Sequence, residues 1–94
     1  MDEPLKPTVA KKLIRKILDA CDLVIPAGSH ADEEMRNDNL ILGDVINVLK
    51  GGVVEPGEFV KGTWRYQVRT SKIVVVVCFR SETEMRVVTC WRKK

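Results

Sequence analysis

The stretch that decides the fold runs from Phe59 to Arg92 and reads FVKGTWRYQVRTSKIVVVVCFRSETEMRVVTCWR. Its first part, as far as Arg69, alternates apolar and polar side chains, which predicts a strand with one covered face. Residues 73–79 form a continuous, mostly β-branched run, which predicts a central strand covered on both faces. A polar hairpin loop and a last strand, residues 85–92, complete the pattern. We therefore expect an antiparallel meander of three or four strands.

The period of two also assigns side chains to the two faces of this sheet. In the first long strand it separates two sets, Trp64, Tyr66 and Val68 against Arg65, Gln67 and Arg69. In the last strand, strict parity puts Arg86, Val88, Cys90 and Arg92 on one face and Val87, Thr89 and Trp91 on the other. The aromatic side chains are either core groups or stacking surfaces for bases, and both interpretations stay open.

Helices are predicted before the strands. An apolar stripe over residues 9–21, preceded by Thr8 as N-cap, predicts an amphipathic helix. Ser29 is the N-cap of a predicted short helix over residues 30–37. A third helix is expected over residues 42–51, closed by glycine. Leading helices and trailing strands are typical of the α+β class, with two or three helices packed on the sheet.

The 94 residues give room for one domain. We assign residues 8–94 to that domain and residues 1–7, which hold two prolines, to a flexible arm. No run is long and apolar enough for a membrane helix, and the first residues form no apolar signal core. We expect a cytoplasmic protein with no membrane contact, as a monomer or a small homo-oligomer.

The cysteines and short motifs exclude several kinds of chemistry. Cys21, Cys78 and Cys90 are odd in number and lack a C-x-x-C spacing, which disfavours disulfides and zinc. We expect all three to be reduced core residues. Phosphate-binding loops, nucleophile elbows and dinucleotide fingerprints are absent from the sequence. We therefore expect neither a metal nor a cofactor.

Charge is divided unevenly along the chain. Residues 1–58 carry 7 basic and 11 acidic side chains, whereas residues 59–94 carry 9 basic and 2 acidic ones. The sheet-forming half is therefore strongly cationic, which favours a polyanion binder or a surface that docks an acidic partner. A merely solvated basic surface is the alternative.

Arginines on a sheet with Trp64, Tyr66 and Trp91 nearby suit single-stranded nucleic acid, because guanidiniums hold phosphates and rings stack on bases. The candidate RNA-binding residues are Arg65, Arg69, Arg86, Trp91 and Arg92. The same cations could support metal-free RNA cleavage, in which a base removes the 2′-hydroxyl proton and an acid protonates the leaving oxygen. His30, Tyr66 and the arginines are candidates for these roles, with Glu33 or Glu34 as an alternative base.

Several short motifs, in this order, resemble a small bacterial family similar to the MqsR and BrnT toxins, within the RelE/ParE-like superfamily. They are Ser29-His30-Ala31, Met35-Arg36, Asp44-Val45 within 40–49, a glycine at Gly51, Tyr66, the strand 73–79 and Val87-Val88-Thr89-Cys90-Trp91. The resemblance covers residues 24–92.

This resemblance implies a RelE-like fold and the toxin half of a toxin–antitoxin pair. It implies a hydrolase, an endoribonuclease that cleaves messenger RNA without a metal, and a cognate antitoxin protein as partner. The residues that it matches by position are His30, Tyr66, Thr89 and the strand arginines Arg65 and Arg80. From this set we predict four catalytic residues, His30, Tyr66, Arg80 and Thr89. The alternatives are a non-catalytic module that binds nucleic acid or protein through the basic face, and a toxin-fold protein with a target other than RNA.

Overall fold

The computed structural model describes residues 1–93. Its elements are α1 (Pro7–Asp19), β1 (Leu23–Val24), α2 (His30–Asn37), α3 (Leu42–Gly51), β2 (Val53–Val54), β3 (Glu58–Val60), β4 (Thr63–Arg69), β5 (Ile73–Phe79) and β6 (Met85–Arg92). The predicted α+β class is confirmed. The sheet has six strands rather than three or four, and it is mixed rather than antiparallel, because β1 pairs in parallel with β6.

Strand β5 lies in the middle of the sheet. The strand order is β1-β6-β5-β4-β2, and β3 pairs with β4 off this path. All seven residues of β5 are buried, as the continuous β-branched run predicted. Both of its neighbours, β4 and β6, pair with it in the antiparallel direction. The three longest strands, β4, β5 and β6, therefore form the centre of the sheet and carry the side chains of its two faces.

The alternating stretch that begins at Phe59 is a hairpin rather than one strand. Lys61 and Gly62 both have positive φ, 50° and 82°, which is the conformation of a tight turn that joins two twisted strands. Phe59 pairs with Trp64 across this hairpin, and their ring centroids are 5.2 Å apart in an edge-on arrangement. The period of two continues through such a turn, so the pattern alone does not reveal it.

Side chains and proline position the helix ends. The Ser29 hydroxyl accepts a hydrogen bond from the N–H of Asp32 at 3.3 Å, so the predicted cap of α2 is confirmed. Helix α1 begins at Pro7 rather than after Thr8. Proline is favourable at the first helical position because an N–H there would have no acceptor within the helix. Helix α3 packs tightly where it ends: a Cβ on Gly52 would lie 2.6 Å from the carbonyl oxygen of Val48.

All three helices pack on one face of the sheet. Their buried residues form a single cluster with one set of strand residues, Tyr66, Val68, Ile73, Val75, Val77, Phe79, Met85, Val87 and Cys90. The intervening residues of β5, Val74, Val76 and Cys78, lie outside this cluster although they are buried. They belong to the opposite face, which no helix of the described residues covers and which we call the open face.

The first residues and the cysteines depart from their predictions. The segment predicted to be a flexible arm contacts the sheet, since Glu3 and Leu5 both bind the hydroxyl of Tyr66. Cys21 is exposed and has a φ of 60° in the turn after α1, so its prediction as a core residue was wrong. Cys78 and Cys90 are buried as predicted. Within residues 1–93, no helix has the length and apolar character needed to cross a membrane.

Candidate nucleic-acid interface

Strand register arranges the open face in rows that run across β4, β5 and β6. One row holds Arg69, Val74 and Trp91, and the next holds Gln67, Val76 and Thr89. The third row holds Cys78 and its partner Arg86, with Arg65 two residues before Gln67 on the same side of β4. Three predicted RNA-binding residues, Arg65, Arg69 and Trp91, therefore lie on this face, as does Thr89.

A β-bulge in β6 brings Arg86 onto the same face. The register shifts between Val76 and Val77, so that Val77 pairs with Val87 while Val76 pairs with Thr89. Val88 is the extra residue, and an extra residue reverses the facing of everything before it. The strict parity predicted for β6 was therefore wrong: Arg86 shares a face with Thr89 and Trp91, whereas Val87 shares the helix face with Cys90.

Arg92 lies apart from the open face. It pairs with Ile73, which belongs to the helix-side core. Its backbone N–H donates to the carboxylate of Asp38 at 2.7 Å, and its Nε donates to the carbonyl oxygen of Asp38 at 3.3 Å. These contacts tie the end of β6 to the end of α2, so the structure does not bring Arg92 together with the other arginines.

The charges of three arginines act on one buried thiol of the open face. Burial raises the pKa of the Cys78 thiol, while the charges of Arg86, Arg80 and Arg65 oppose that shift. We call Arg65, Arg80 and Arg86 the arginine cluster. The Nε atoms of Arg65 and Arg86 are enclosed and have no hydrogen-bond partner among residues 1–93. Both atoms are closed to solvent, so an incoming anion would meet the other N–H groups of these two guanidiniums.

Carboxylates neutralise the arginines of this face unequally. Arg69 Nε donates to Glu55, and Arg86 lies 4.0 Å from Glu84. Within residues 1–93, neither Arg65 nor Arg80 has a carboxylate oxygen within 4.0 Å. The arginine cluster therefore keeps a net positive charge at the end of the open face where β5 finishes.

A cavity of about 450 Å³ lies beside the arginine cluster. Its lining consists of Glu55, Pro56, Gly57, Glu58, Val60, Arg65, Gln67, Val76, Thr89 and Trp91. One wall is thus the connection between β2 and β3, and the floor is the open face. The wall is held close to the sheet, because a Cβ on Gly57 would lie 2.8 Å from Cε2 of Tyr66.

Tyr66 lies on the opposite face from the arginine cluster. Its side chain is completely buried, and its ring centroid is 5.2 Å from that of Phe79. Its hydroxyl accepts from the N–H of Leu5 at 2.9 Å and donates to the carboxylate of Glu3 at 2.8 Å. Burial, together with Glu3, raises the pKa of Tyr66 to about 12. The sheet therefore separates this hydroxyl from Arg65 and Thr89.

His30 also lies on the helix side. It is the first residue of α2, its side chain is 67% exposed, and its Nε2 is 3.9 Å from Glu34. The next residue, Ala31, packs against the helix-side face of β6, where its carbonyl oxygen accepts from Cys90 Sγ at 4.0 Å. The four residues predicted to be catalytic are therefore not gathered: Arg80 and Thr89 belong with the open face, and His30 and Tyr66 do not.

Sequence reasoning missed the acidic wall of the cavity. Glu55 and Glu58 flank the Pro56-Gly57 pair, which the pattern indicated only as a turn. The alternation of β4 places Gln67 between Arg65 and Arg69 but indicates no role for it. The charge distribution does contain a signal for this wall, because Glu55 and Glu58 are the last two acids before the cationic residues 59–94. No family model, no curated protein and no solved structure matches this chain.

Proposed function

We propose that this protein binds single-stranded RNA on the open face of its sheet. The observation that carries the proposal is a group of cations at one end of the open face. Arg86 is the register partner of Cys78, Arg65 lies on the same side of β4, and the charges of both and of Arg80 act on the Cys78 thiol. Guanidiniums of this kind bind phosphate oxygens through paired, charge-assisted hydrogen bonds. The cluster therefore suits the backbone of a nucleic acid.

The rest of the open face supports a single strand rather than a duplex. Trp91 is half-buried beside the cavity, and Gln67 and Thr89 stand between it and the arginines. Unpaired bases stack on such rings and offer their edges to such polar groups, whereas the bases of a duplex stay hidden. A strand whose phosphates meet the arginine cluster would extend its bases toward Trp91.

Affinity for labelled single-stranded RNA of mixed sequence, measured by fluorescence anisotropy, tests this proposal. In the Arg65→Ala, Arg86→Ala double variant we expect affinity to fall at least about a hundredfold, since each lost charge-assisted bond is worth roughly 1.5–3 kcal/mol. The matched control is Arg15→Ala with Lys16→Ala, which removes the same charge from the exposed side of α1. An equal loss in both double variants would show that net charge, and not the open face, binds RNA.

A second candidate function is cleavage of messenger RNA by a toxin that an antitoxin controls. The arginine cluster favours it, because convergent cations stabilise the extra charge that a phosphate gains when a 2′-hydroxyl attacks it. Thr89 adds a hydroxyl on the same face. In this reaction a base takes the 2′-hydroxyl proton, the 5′-oxygen leaves with a proton from an acid, and a cyclic phosphate remains.

Growth and total RNA after induction test this second function. Induction of the natural chain should arrest growth and degrade messenger RNA in the cytoplasm, and the His30→Ala, Arg80→Ala double variant should do neither. The single variants then separate the two roles, since His30 and Arg80 lie on different sides of the sheet. Harmless expression with intact RNA would leave binding without cleavage as the function.

The antitoxin of such a pair would also use the open face. An acidic segment covering Arg65 and Arg80 would satisfy the two arginines that lack an ion pair among residues 1–93. Antitoxin and RNA would therefore compete. A complex with the antitoxin that still binds RNA at full affinity would contradict this part of the proposal.

A further inference from the structure

We infer that the cavity beside the arginine cluster receives one base of the bound RNA and selects guanine. The inference rests on the proposed RNA binding and deepens it. Arg65 belongs to both places, since it lines the cavity and lies on the open side of β4, where its charge acts on the Cys78 thiol together with those of Arg80 and Arg86. A nucleotide whose phosphate meets the cluster would therefore place its own base, or the next one, in the cavity.

The cavity suits a flat aromatic ring. Trp91 lies at one side, and Val60 and Val76 add apolar surface to the lining. Its volume of about 450 Å³ lies within the range of sites that enclose small molecules. A base stacked on the indole would cover apolar surface and leave its polar edge turned toward the connection between β2 and β3.

Polar groups around that edge identify the base. Glu58 stands directly opposite Arg65 in the register of β3 and β4, and both line the cavity. Glu55 is already bound to Arg69, whereas Glu58 makes no ion pair with any of residues 1–93. Glu58 therefore offers two acceptor oxygens beside a guanidinium that offers donors.

Among the four bases, only guanine matches this set. Its Watson–Crick edge presents two adjacent N–H groups, N1–H and the N2 amino group, which a carboxylate can accept together. The remaining bases place an acceptor beside each donor, so one carboxylate oxygen would face a lone pair. Guanine also presents O6 and N7 acceptors, which are the usual partners of arginine. Gln67 and Thr89 can donate or accept at the rest of the ring.

The negative charge of Glu58 has opposite effects on two kinds of RNA. A carboxylate beside an RNA strand repels phosphates, so Glu58 should weaken binding unless a base returns hydrogen bonds to it. Glu58→Gln removes both the repulsion and the paired acceptor. We therefore expect this variant to bind oligouridine as tightly as the natural chain, or more tightly, and to lose the preference for guanine. A residue that only contributes to folding would not change the two ligands in opposite directions.

Fluorescence of Trp91 supplies the readout, in a Trp64→Phe background where Trp91 is the only indole. The ligands are oligouridine and the same oligomer with one guanosine or one inosine, which lacks the N2 amino group. We expect guanosine to strengthen binding about tenfold, inosine to strengthen it less, and Glu58→Gln to abolish the difference. The matched control is Asp19→Asn, an exposed acid at the end of α1, which should leave the preference unchanged.

The outcomes separate the inference from the proposed function. RNA binding without a preference among the bases, or a guanine preference that survives in Glu58→Gln, would overturn the inference and leave RNA binding in place. Failure of every oligomer to bind would overturn the proposed function as well. Guanosine monophosphate is the last arm: if it binds as tightly as the oligomer, the cavity belongs to a free nucleotide, and the assignment to RNA is wrong.

Discussion

Glu58 and Arg65 face each other across the β3–β4 ladder without forming an ion pair. They are direct register partners, yet no oxygen of Glu58 lies within 4.0 Å of a nitrogen of Arg65. Opposite charges on facing positions usually attract. Here the two side chains line one cavity without contacting each other. The carboxylate of Glu58 and the N–H groups of Arg65 can therefore both bind a base that enters the cavity.

Variants of Arg65 should separate charge from geometry. In Arg65→Ala we expect weaker RNA binding and a salt dependence that is shallower by roughly 0.7 for one lost phosphate contact. Arg65→Lys keeps the charge but loses the planar fork, so it should keep the salt dependence and still bind less tightly. Anisotropy titrations at several salt concentrations measure both quantities. An unchanged slope in Arg65→Ala would remove Arg65 from the phosphate contacts.

Tyr66→Phe should weaken the fold and leave RNA binding unchanged. The substitution removes the hydroxyl that joins β4 to Glu3 and Leu5, and leaves the N–H of Leu5 without its acceptor. We expect the free energy of unfolding to fall by about 1–2 kcal/mol. Urea unfolding measures the first effect and anisotropy the second. A loss of RNA cleavage in a variant that stays folded would instead support the catalytic role predicted from the sequence.

Alkaline pH should destabilise the protein through Tyr66. Its pKa is raised from 10 to about 12 in the folded state, so the folded state favours the protonated hydroxyl. This contribution is complete below pH 10 and is lost as pH rises toward 12. Between pH 8 and pH 11 we expect the natural chain to lose about 1.4 kcal/mol more than Tyr66→Phe, from the difference in proton binding. Equal losses in both chains would contradict the raised pKa.

Tyr66 is also the only tyrosine in the chain, so its ionisation can be observed directly. The ultraviolet absorbance of the tyrosinate should rise well above pH 10 in the folded protein. In denaturant it should rise near pH 10, the ordinary value. A folded-state midpoint near 10 would indicate that the hydroxyl is exposed to water.

Thiol reactivity should distinguish the three cysteines. Cys21 is exposed, whereas Cys78 and Cys90 are buried, and burial raises the pKa of Cys90 to about 11. Because the thiolate is the reactive form, an aromatic disulfide reagent at neutral pH should modify one thiol quickly and the other two only after unfolding. Cys21→Ser should abolish the fast reaction. Rapid modification of two or three thiols would contradict the burial of Cys78 and Cys90.

Local patterns were enough to predict much of this fold. The continuous run of β5 predicted its central position because only a strand covered on both faces tolerates it. Ser29 predicted the start of α2 because its hydroxyl bonds within its own helix. The alternation of β4 correctly separated Arg65 and Gln67 from Tyr66. Each of these features depends on residues that are close together in the sequence.

Features that depend on distant residues could not be predicted in the same way. The bulge at Val88 follows from pairing with β5, and it reverses the facing of Arg86 without any change in composition. Tyr66 finds its partners Glu3 and Leu5 about sixty residues away. The parallel pairing of β1 with β6 likewise depends on where the chain returns. The arginine cluster emerged from this register and not from the spacing of its residues.

RNA binding by the open face can be mapped residue by residue with backbone amide NMR of the labelled protein, titrated with single-stranded RNA. We expect the largest shifts on the open face, at Gln67, Val76 and Thr89 and at the indole N–H of Trp91. Residues 11–16 of α1, the other basic surface, should stay unperturbed. Shifts confined to α1, with the open face unchanged, would contradict the claim that this sheet binds RNA.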